Sequence, residues 1–157
     1  MPHEIERKFL VVSDSWRGRS EGVIYRQGYL SIAPERTVRV RVAGEVAYLT
    51  IKGLTTNNSR LEFEYSIPLA DSEQMLAFCQ GPLIEKKRFE IPHAGKIWQV
   101  DEFLGDNYGL IVAEIELTTN AERIDKPDWI GCEVSGDPRY YNSSLAVAPF
   151  SKWKQDV

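Results

Sequence analysis

Apolar and polar residues alternate along most of this chain with the period of two expected of a β-strand that buries one face. The alternation predicts strands over residues 3–12, 23–32, 36–43, 46–53, 60–68, 83–91, 96–103 and 111–118, separated by Gly, Pro, Asn and Asp. Ala43-Gly44-Glu45 and His93-Ala94-Gly95 read as hairpin connections. Two stretches switch to helical spacing. One starts at Asp71, has Gln74 as its capping-box partner, carries Met75, Leu76, Phe78 and Cys79, and stops at Gly81-Pro82. The other starts at Asp137-Pro138, an N-cap followed by Pro at the first helical position, and runs to about residue 147. A short helical turn is expected after Asn120, and the tail from Phe150, with Trp153, as a docked helical turn. The fold class is mainly β (α+β), an eight-stranded antiparallel set that closes into a barrel and so removes its exposed edges.

Sorting each strand by face changes this ordinary picture. Residues i and i+2 point the same way, so Glu4, Glu6 and Lys8 share a face, as do Arg39 with Arg41, Thr50 with Lys52, Glu62 with Glu64, Lys86 with Arg88, and Glu114 with Glu116. Asp101 opposes Val100. The opposite faces carry mostly apolar residues: Val38, Val40 and Val42, Leu49 and Ile51, Leu61, Phe63 and Tyr65, Phe89 and Ile91, Ala113, Ile115 and Leu117. One solvated charged face is normal for an antiparallel sheet. Seven strands with charge on one face, five of them with a like-signed pair, are harder to dismiss. Arg39 and Arg41 would lie about 7 Å apart at about 3.4 Å per residue, repelling by roughly 2 kcal/mol at a dielectric of about 20. If such charges point inward, a polyanion beside the bases and divalent cations beside the acids would compensate them. Carboxylates are natural Mg²⁺ ligands, and Arg and Lys are natural phosphate binders. The apolar faces would then point outward, with the helices and the tail supplying some of their cover.

Composition acts mainly by exclusion. The 157 residues suit a single domain, 1–157, with 43% hydrophobic and 27% charged residues. No apolar run approaches the roughly 20 residues of a membrane span, and the opening Met-Pro-His-Glu-Ile-Glu reads as neither signal nor transit peptide. Cys79 and Cys132 form no disulfide framework or metal spacing. A cytoplasmic location is expected. The net charge of −4 argues against nucleic-acid and membrane partners, but not against a small anion. His3, His93 and Lys87 read as terminal, turn and edge residues without a chemical role.

Glu4-Ile5-Glu6-Arg7-Lys8, close to the N-terminus and followed by Phe9-Leu10-Val11, resembles the Glu-x-Glu-x-Lys signature of the CYTH superfamily, the triphosphate tunnel metalloenzymes. The later segments are similar in order: Arg26-Gln27-Gly28-Tyr29-Leu30, Val38-Arg39-Val40-Arg41, Thr50-Ile51-Lys52, Glu62-Phe63-Glu64, Glu85-Lys86-Lys87-Arg88-Phe89, Val100-Asp101, Glu114-Ile115-Glu116, and Asp137-Pro138-Arg139-Tyr140 with Asn142. The likeness covers residues 3 to about 148 and is strongest to small bacterial single-domain members. It implies a tunnel whose lumen binds a triphosphate. Lys8, Arg39, Arg41, Lys52, Lys86 and Arg88 would hold phosphate oxygens, with Arg139 as a further phosphate ligand from the C-terminal helix. Glu4, Glu6, Glu62, Glu64, Asp101, Glu114 and Glu116 would hold Mg²⁺ or Mn²⁺, or its waters. Tyr29 is a candidate wall residue. Lys8, Glu6 and Arg41 are the candidate catalytic groups, Lys8 beside the carboxylate pair to orient water. Ser143-Ser144-Leu145 stands where small members often carry a Lys.

The resemblance implies metal-dependent hydrolysis of inorganic triphosphate. Adenylate cyclase and thiamine or nucleoside triphosphatase activities need the same charges, but no base-reading motif is identifiable. A non-catalytic polyphosphate-binding module is the alternative of another class, and it gains nothing from so many carboxylates. Pairing into a homodimer is compatible with a tunnel fold, and no residue of the sequence demonstrates it.

Overall fold

The structure is a computed structural model that describes residues 3–156. Strands β1 (His3–Val11), β2 (Val23–Ser31), β3 (Arg36–Ala43), β4 (Val46–Gly53) and β5 (Ser59–Ile67) are followed by helix α1 (Leu69–Leu76). Then come β6 (Gln80–His93), β7 (Lys96–Phe103), β8 (Ile111–Glu116), a short β9 (Ile130–Glu133) and the four-residue helix α2 (Asn142–Leu145). The sheet runs β5-β4-β3-β2-β6-β7-β8-β1-β9, and β1 also pairs with β5, so the first eight strands close into an antiparallel barrel.

Closure depends on how β1 is shared. Glu6 to Leu10 pair with β8, while His3, Glu4 and Ile5 pair with Leu61, Arg60 and Ser59 of β5. Higher up the same edge β9 takes over, with Phe9 opposite Glu133. The sequence reading missed β9, because four residues are too few to show alternation. Gly131 permits its close approach: a side-chain carbon there would meet Val12 and come within 3.2 Å of the Leu10 carbonyl.

The barrel is inverted. Its charged faces turn inward and its apolar faces outward, where three assemblies deal with them differently. Outside β1, β6, β7 and β8, Phe9, Ile91, Trp98, Val100, Ala113 and Ile115 are covered by Trp16 and Trp129 from the loops before β2 and β9. Phe9, Trp98 and Trp129 meet edge to face. Outside β2, β3 and β4, Val40, Val42, Ala47 and Leu49 pack under Leu76 and Met75 of α1. Outside β4 and β5, Ile51, Leu61, Phe63 and Tyr65 stay exposed. Helix α1 therefore supplies some of the cover, as the sequence pattern suggests, and two tryptophan-bearing loops supply more.

The C-terminal segment does something else: it closes one end of the barrel. Inward-facing Leu10, Tyr29, Ile84, Phe103 and Val112 form an apolar floor, packed against Val134, Tyr140, Leu145, Ala146, Phe150 and Trp153. The helix predicted over 137–147 is broken. Pro138–Tyr140 make a single 3₁₀ turn whose cap, Asp137, accepts from the Arg139 N–H; Tyr141 is extended (ψ 134°), and α2 starts at Asn142. The break lets Tyr140 reach the floor while Tyr141 and Asn142 face the lumen. Residues after Asn120 form a turn and no helix, tied by Glu122 to Thr118. The tail does dock, as a 3₁₀ helix from Phe150 with Trp153 edge-on to Tyr140. The first helix starts before Asp71, after Pro68, and ends at Leu76, because β6 begins earlier than predicted, at Gln80. Among the described residues no helix is long and apolar enough to cross a membrane.

Candidate active site

The lumen holds a cavity of about 210 Å³. Its open end, the mouth, is built from the start of β1, the end of β8 and the facing parts of β4 and β5. The Lys52 ammonium donates to both Glu4 oxygens at 2.9 and 3.0 Å. It also pairs with Glu62 at 3.1 Å, and Arg60 reaches Glu4 at 3.5 Å. Glu6 stands opposite Glu116 in the β1–β8 ladder, and like-signed neighbours in that position repel. Half-way down, Lys8 lies 3.6 Å from Glu114, while Thr50 donates to Glu64 at 2.9 Å and receives Arg39 at 3.2 Å.

The closed end is arranged differently. Asp101 accepts two bonds from the Arg88 guanidinium, at 2.7 and 2.8 Å, and pairs with Lys86 at 2.8 Å. Arg41 makes no ion pair among the described residues; its Nε donates to Gln27 Oε1 at 2.9 Å. The Arg41 and Arg88 guanidinium groups both stack on the Tyr25 ring, 4.9 and 5.0 Å from its centroid.

These environments shift the titrating groups in opposite senses. Burial, then the charges of Glu114 and Glu4, push the Glu6 carboxyl up to about 8. Burial, then Glu4, also raises Glu116, and burial outweighs Lys52 to raise Glu62. At the floor, burial and the charges of Arg39 and Arg88 lower Arg41 to about 9. Burial, with Arg88 and Arg41 adding to it, holds Lys86 well below the usual lysine range despite Asp101. Burial opposes ionisation of Glu114 as well, but Lys8, Arg88 and Lys86 outweigh it and hold that carboxyl low. Glu6, Glu62 and Glu116 at the mouth are therefore short of positive charge, although at Glu4 burial is outweighed, chiefly by Lys52, and that carboxyl is held low. Arg41 and Lys86 at the floor are short of negative charge, although at Arg88 burial is outweighed, chiefly by Asp101, and that guanidinium is held high.

Of the residues singled out from the sequence, Glu4, Glu6, Lys8, Arg39, Arg41, Lys52, Glu62, Glu64, Lys86, Arg88, Glu114 and Glu116 all line this one cavity, together with Tyr29. Two are placed elsewhere. Asp101 has the expected inward face but does not line the cavity: it is 1% exposed, and both of its oxygens are taken by Arg88 and Lys86, so in this structure it braces bases. Arg139 does not line the lumen; its side chain is bonded to Asp137 and stacked over Tyr140 and Trp153. Sequence reasoning missed Arg60, although it shares a strand face with Glu62 and Glu64 and was legible by parity. It also gave no lumen role to Gln27, which the same parity places between Tyr25 and Tyr29.

The CYTH domain family matches residues 2–141, most of the chain. The chain belongs to the CYTH family. It is 48% identical over 156 residues to an inorganic triphosphatase of Acetivibrio thermocellus, covering 99% of this chain and 100% of that protein. It is 33% identical over 150 residues to an inorganic triphosphatase of Nitrosomonas europaea, covering 92% and 97%. The crystal structure of the inorganic triphosphatase NE1496 superposes with a TM-score of 0.67 at 32% identity, covering 92% of this chain and 94% of that one.

CYTH membership implies a divalent cation, and the mouth fits one. Its donors are hard carboxylate oxygens, and Glu6, Glu62 and Glu116 are held above their ordinary range by burial and by neighbouring carboxylates, a state that a bound cation would relieve. Among the described residues no three acidic, His or Cys side chains converge into a finished ligand shell. An ion seated here would complete its sphere with water and substrate oxygens, as Mg²⁺ usually does.

Proposed function

We propose that this protein hydrolyses the terminal phosphoanhydride of inorganic triphosphate inside the barrel, with Mg²⁺ or Mn²⁺ held by Glu4, Glu6, Glu62, Glu64, Glu114 and Glu116. The observation that carries the reading is the opposed imbalance of one lumen. At its mouth Glu6 faces Glu116, and these two carboxyls and Glu62 are held above their ordinary range. At its floor Arg41 has no ion pair among the described residues and is held, with Lys86, below the usual range. A metal-bound triphosphate supplies both missing charges at once. The family relatives act on that substrate by name, and the floor of Tyr29, Ile84 and Phe103 closes the lumen behind the phosphates. The described lining is mostly charged, which suits phosphate oxygens better than a nucleobase.

In the reaction a water oxygen bonds to the terminal phosphorus, the bridging P–O bond breaks, and orthophosphate and diphosphate leave. Phosphoryl transfer requires mainly in-line positioning and neutralisation of charge on the phosphate oxygens. When bound, the cation screens phosphate charge and acidifies water. Arg39, Arg41, Lys86 and Arg88 bind substrate oxygens and stabilise negative charge moving toward the leaving diphosphate. Lys8, between Glu6 and Glu114, orients the attacking water. Lys52 and Arg60 hold Glu4 and Glu62 in place at the mouth. The free thiols of Cys79 and Cys132 suit a reducing cytoplasm.

The test is turnover. The purified protein is incubated with tripolyphosphate, diphosphate, ATP and thiamine triphosphate, each with Mg²⁺ or Mn²⁺, and phosphate, diphosphate and cyclic AMP are followed. Tripolyphosphate should be cleaved fastest. No turnover of any triphosphate with either metal would remove the enzyme reading, and cyclic AMP from ATP would replace it with a cyclase.

A further inference from the structure

Three cations of the lumen are oriented by oxygen atoms that carry no charge. The Lys8 ammonium donates to the Tyr140 carbonyl at 3.1 Å. The Lys86 ammonium donates to Asn142 Oδ1 at 2.9 Å. Arg41 Nε donates to Gln27 Oε1 at 2.9 Å, and the Gln27 amide nitrogen donates on to the same Asn142 oxygen at 2.9 Å. Every one of these acceptors either belongs to the segment that closes the barrel or is tied to it.

The direction of this chain of bonds is fixed by chemistry. Ammonium and guanidinium groups can only donate. Gln27 must therefore turn its oxygen to Arg41, Asn142 must turn its oxygen to Lys86, and the Gln27 nitrogen is left facing that oxygen. Only this pair of amide orientations satisfies all three contacts. Gln27 is completely buried, so any of its groups left without a partner would carry the full desolvation cost. An amide also does what Asp101 cannot. Asp101 fixes Arg88 by neutralising it and also pairs with Lys86, whereas Gln27 fixes Arg41 and leaves its charge free for an anion, and Asn142 gives Lys86 a second, uncharged anchor. With Nε occupied, Arg41 keeps its terminal nitrogens for substrate oxygens.

We propose that Gln27 and Asn142 are positioning residues for the phosphate-binding cations, and that the closing segment acts through them and through the Tyr140 carbonyl to set the geometry in which the inner phosphates are held. This rests on the triphosphatase reading of the same lumen. Gln27→Leu and Asn142→Ala should each raise KM for tripolyphosphate about tenfold and change kcat less than about threefold, with far-UV circular dichroism unchanged. The decisive readout is dependence on the partner. Gln27→Leu added to Arg41→Lys, and Asn142→Ala added to Lys86→Ala, should move KM no further than about twofold, because the group being positioned is already altered. Full additivity in both backgrounds, or a wild-type KM in the folded single variants, overturns the proposal. Asn142 is partly exposed, so its variant keeps the test alive if Gln27→Leu fails to fold. Wild-type protein inert toward tripolyphosphate would instead overturn the functional reading on which the proposal stands.

Discussion

At the mouth of the lumen, Lys52 and Arg60 stand against Glu4, Glu6, Glu62 and Glu116. At the floor, Arg41, Lys86 and Arg88 stand against Asp101, with Glu114 between the two levels. Both regions use the same residue types on the same inward faces, and they are out of balance in opposite directions. The difference teaches where each partner of a metal–anion complex would sit. It also separates two ways of tolerating buried charge. The mouth is wet enough to leave Glu62, Glu64 and Glu116 partly or largely exposed, whereas the floor buries Lys86 and Asp101 to 1% exposure and must satisfy each of them within the protein.

The comparison can be broken most forcefully at the floor. Arg88→Ala removes the guanidinium that holds both Asp101 oxygens and leaves a buried carboxylate with Lys86 alone. It should cost about 3–5 kcal/mol in urea unfolding, the usual penalty for splitting a buried pair, and abolish turnover. Glu62→Gln at the mouth removes a half-buried partner and should cost less than about 1 kcal/mol in the same measurement. Equal costs would mean that the two ends are equally dry.

Next in size is the function of the mouth. Glu6→Gln should lower kcat for tripolyphosphate by about 100- to 1,000-fold, while the protein stays folded. Stability should move the other way. Folded Glu6 holds its proton up to about pH 8, whereas the unfolded carboxyl loses it near its ordinary value of 4.5. Between those limits the folded state binds more protons, so in chelator this group's contribution to stability is full at low pH and is lost as pH rises through about 8. Glu6→Gln should therefore raise the melting temperature of the metal-free protein at pH 8.5 by about 3–6 °C and flatten its pH dependence. A melting temperature unchanged at pH 8.5 would mean that Glu6 is not short of a cation.

The smallest expected effect sharpens the assignment of the C-terminal segment. Arg139→Ala should leave KM and kcat within about twofold of wild type, because that side chain is spent on Asp137 outside the lumen. A large rise in KM would return it to the site.

Alternation makes a residue's face legible, and the inward set from Glu4 to Glu116 was readable for that reason. It does not make height legible. Asp101 and Glu114 look alike in sequence, yet one lies beneath the cavity under Arg88 and Lys86 while the other lines it. Arg139 is placed outside the lumen because the Pro138 turn and α2 are two elements and not one helix: the extended backbone at Tyr141 resets the direction of everything before it. β9 escaped because its place is set by the free edge of β1 and the closeness that Gly131 allows, neither of which has a local signal. Gln27 escaped for a simpler reason. A lone amide in a strand carries no charge to notice, and its role exists only through Arg41 and Asn142.

Among the described residues, the plug formed by Tyr140, Leu145, Phe150 and Trp153 packs across the floor end of the barrel and leaves the mouth as its open end. Traffic through it must be sequential: whatever lies nearest the mouth leaves first, and whatever rests on the floor waits behind it. If triphosphate is cut at the end facing the mouth, orthophosphate departs freely and diphosphate is the detained fragment. Diphosphate should then compete with incoming triphosphate for the same doorway, and the cycle time would be set by clearing the chamber rather than by cleaving the bond.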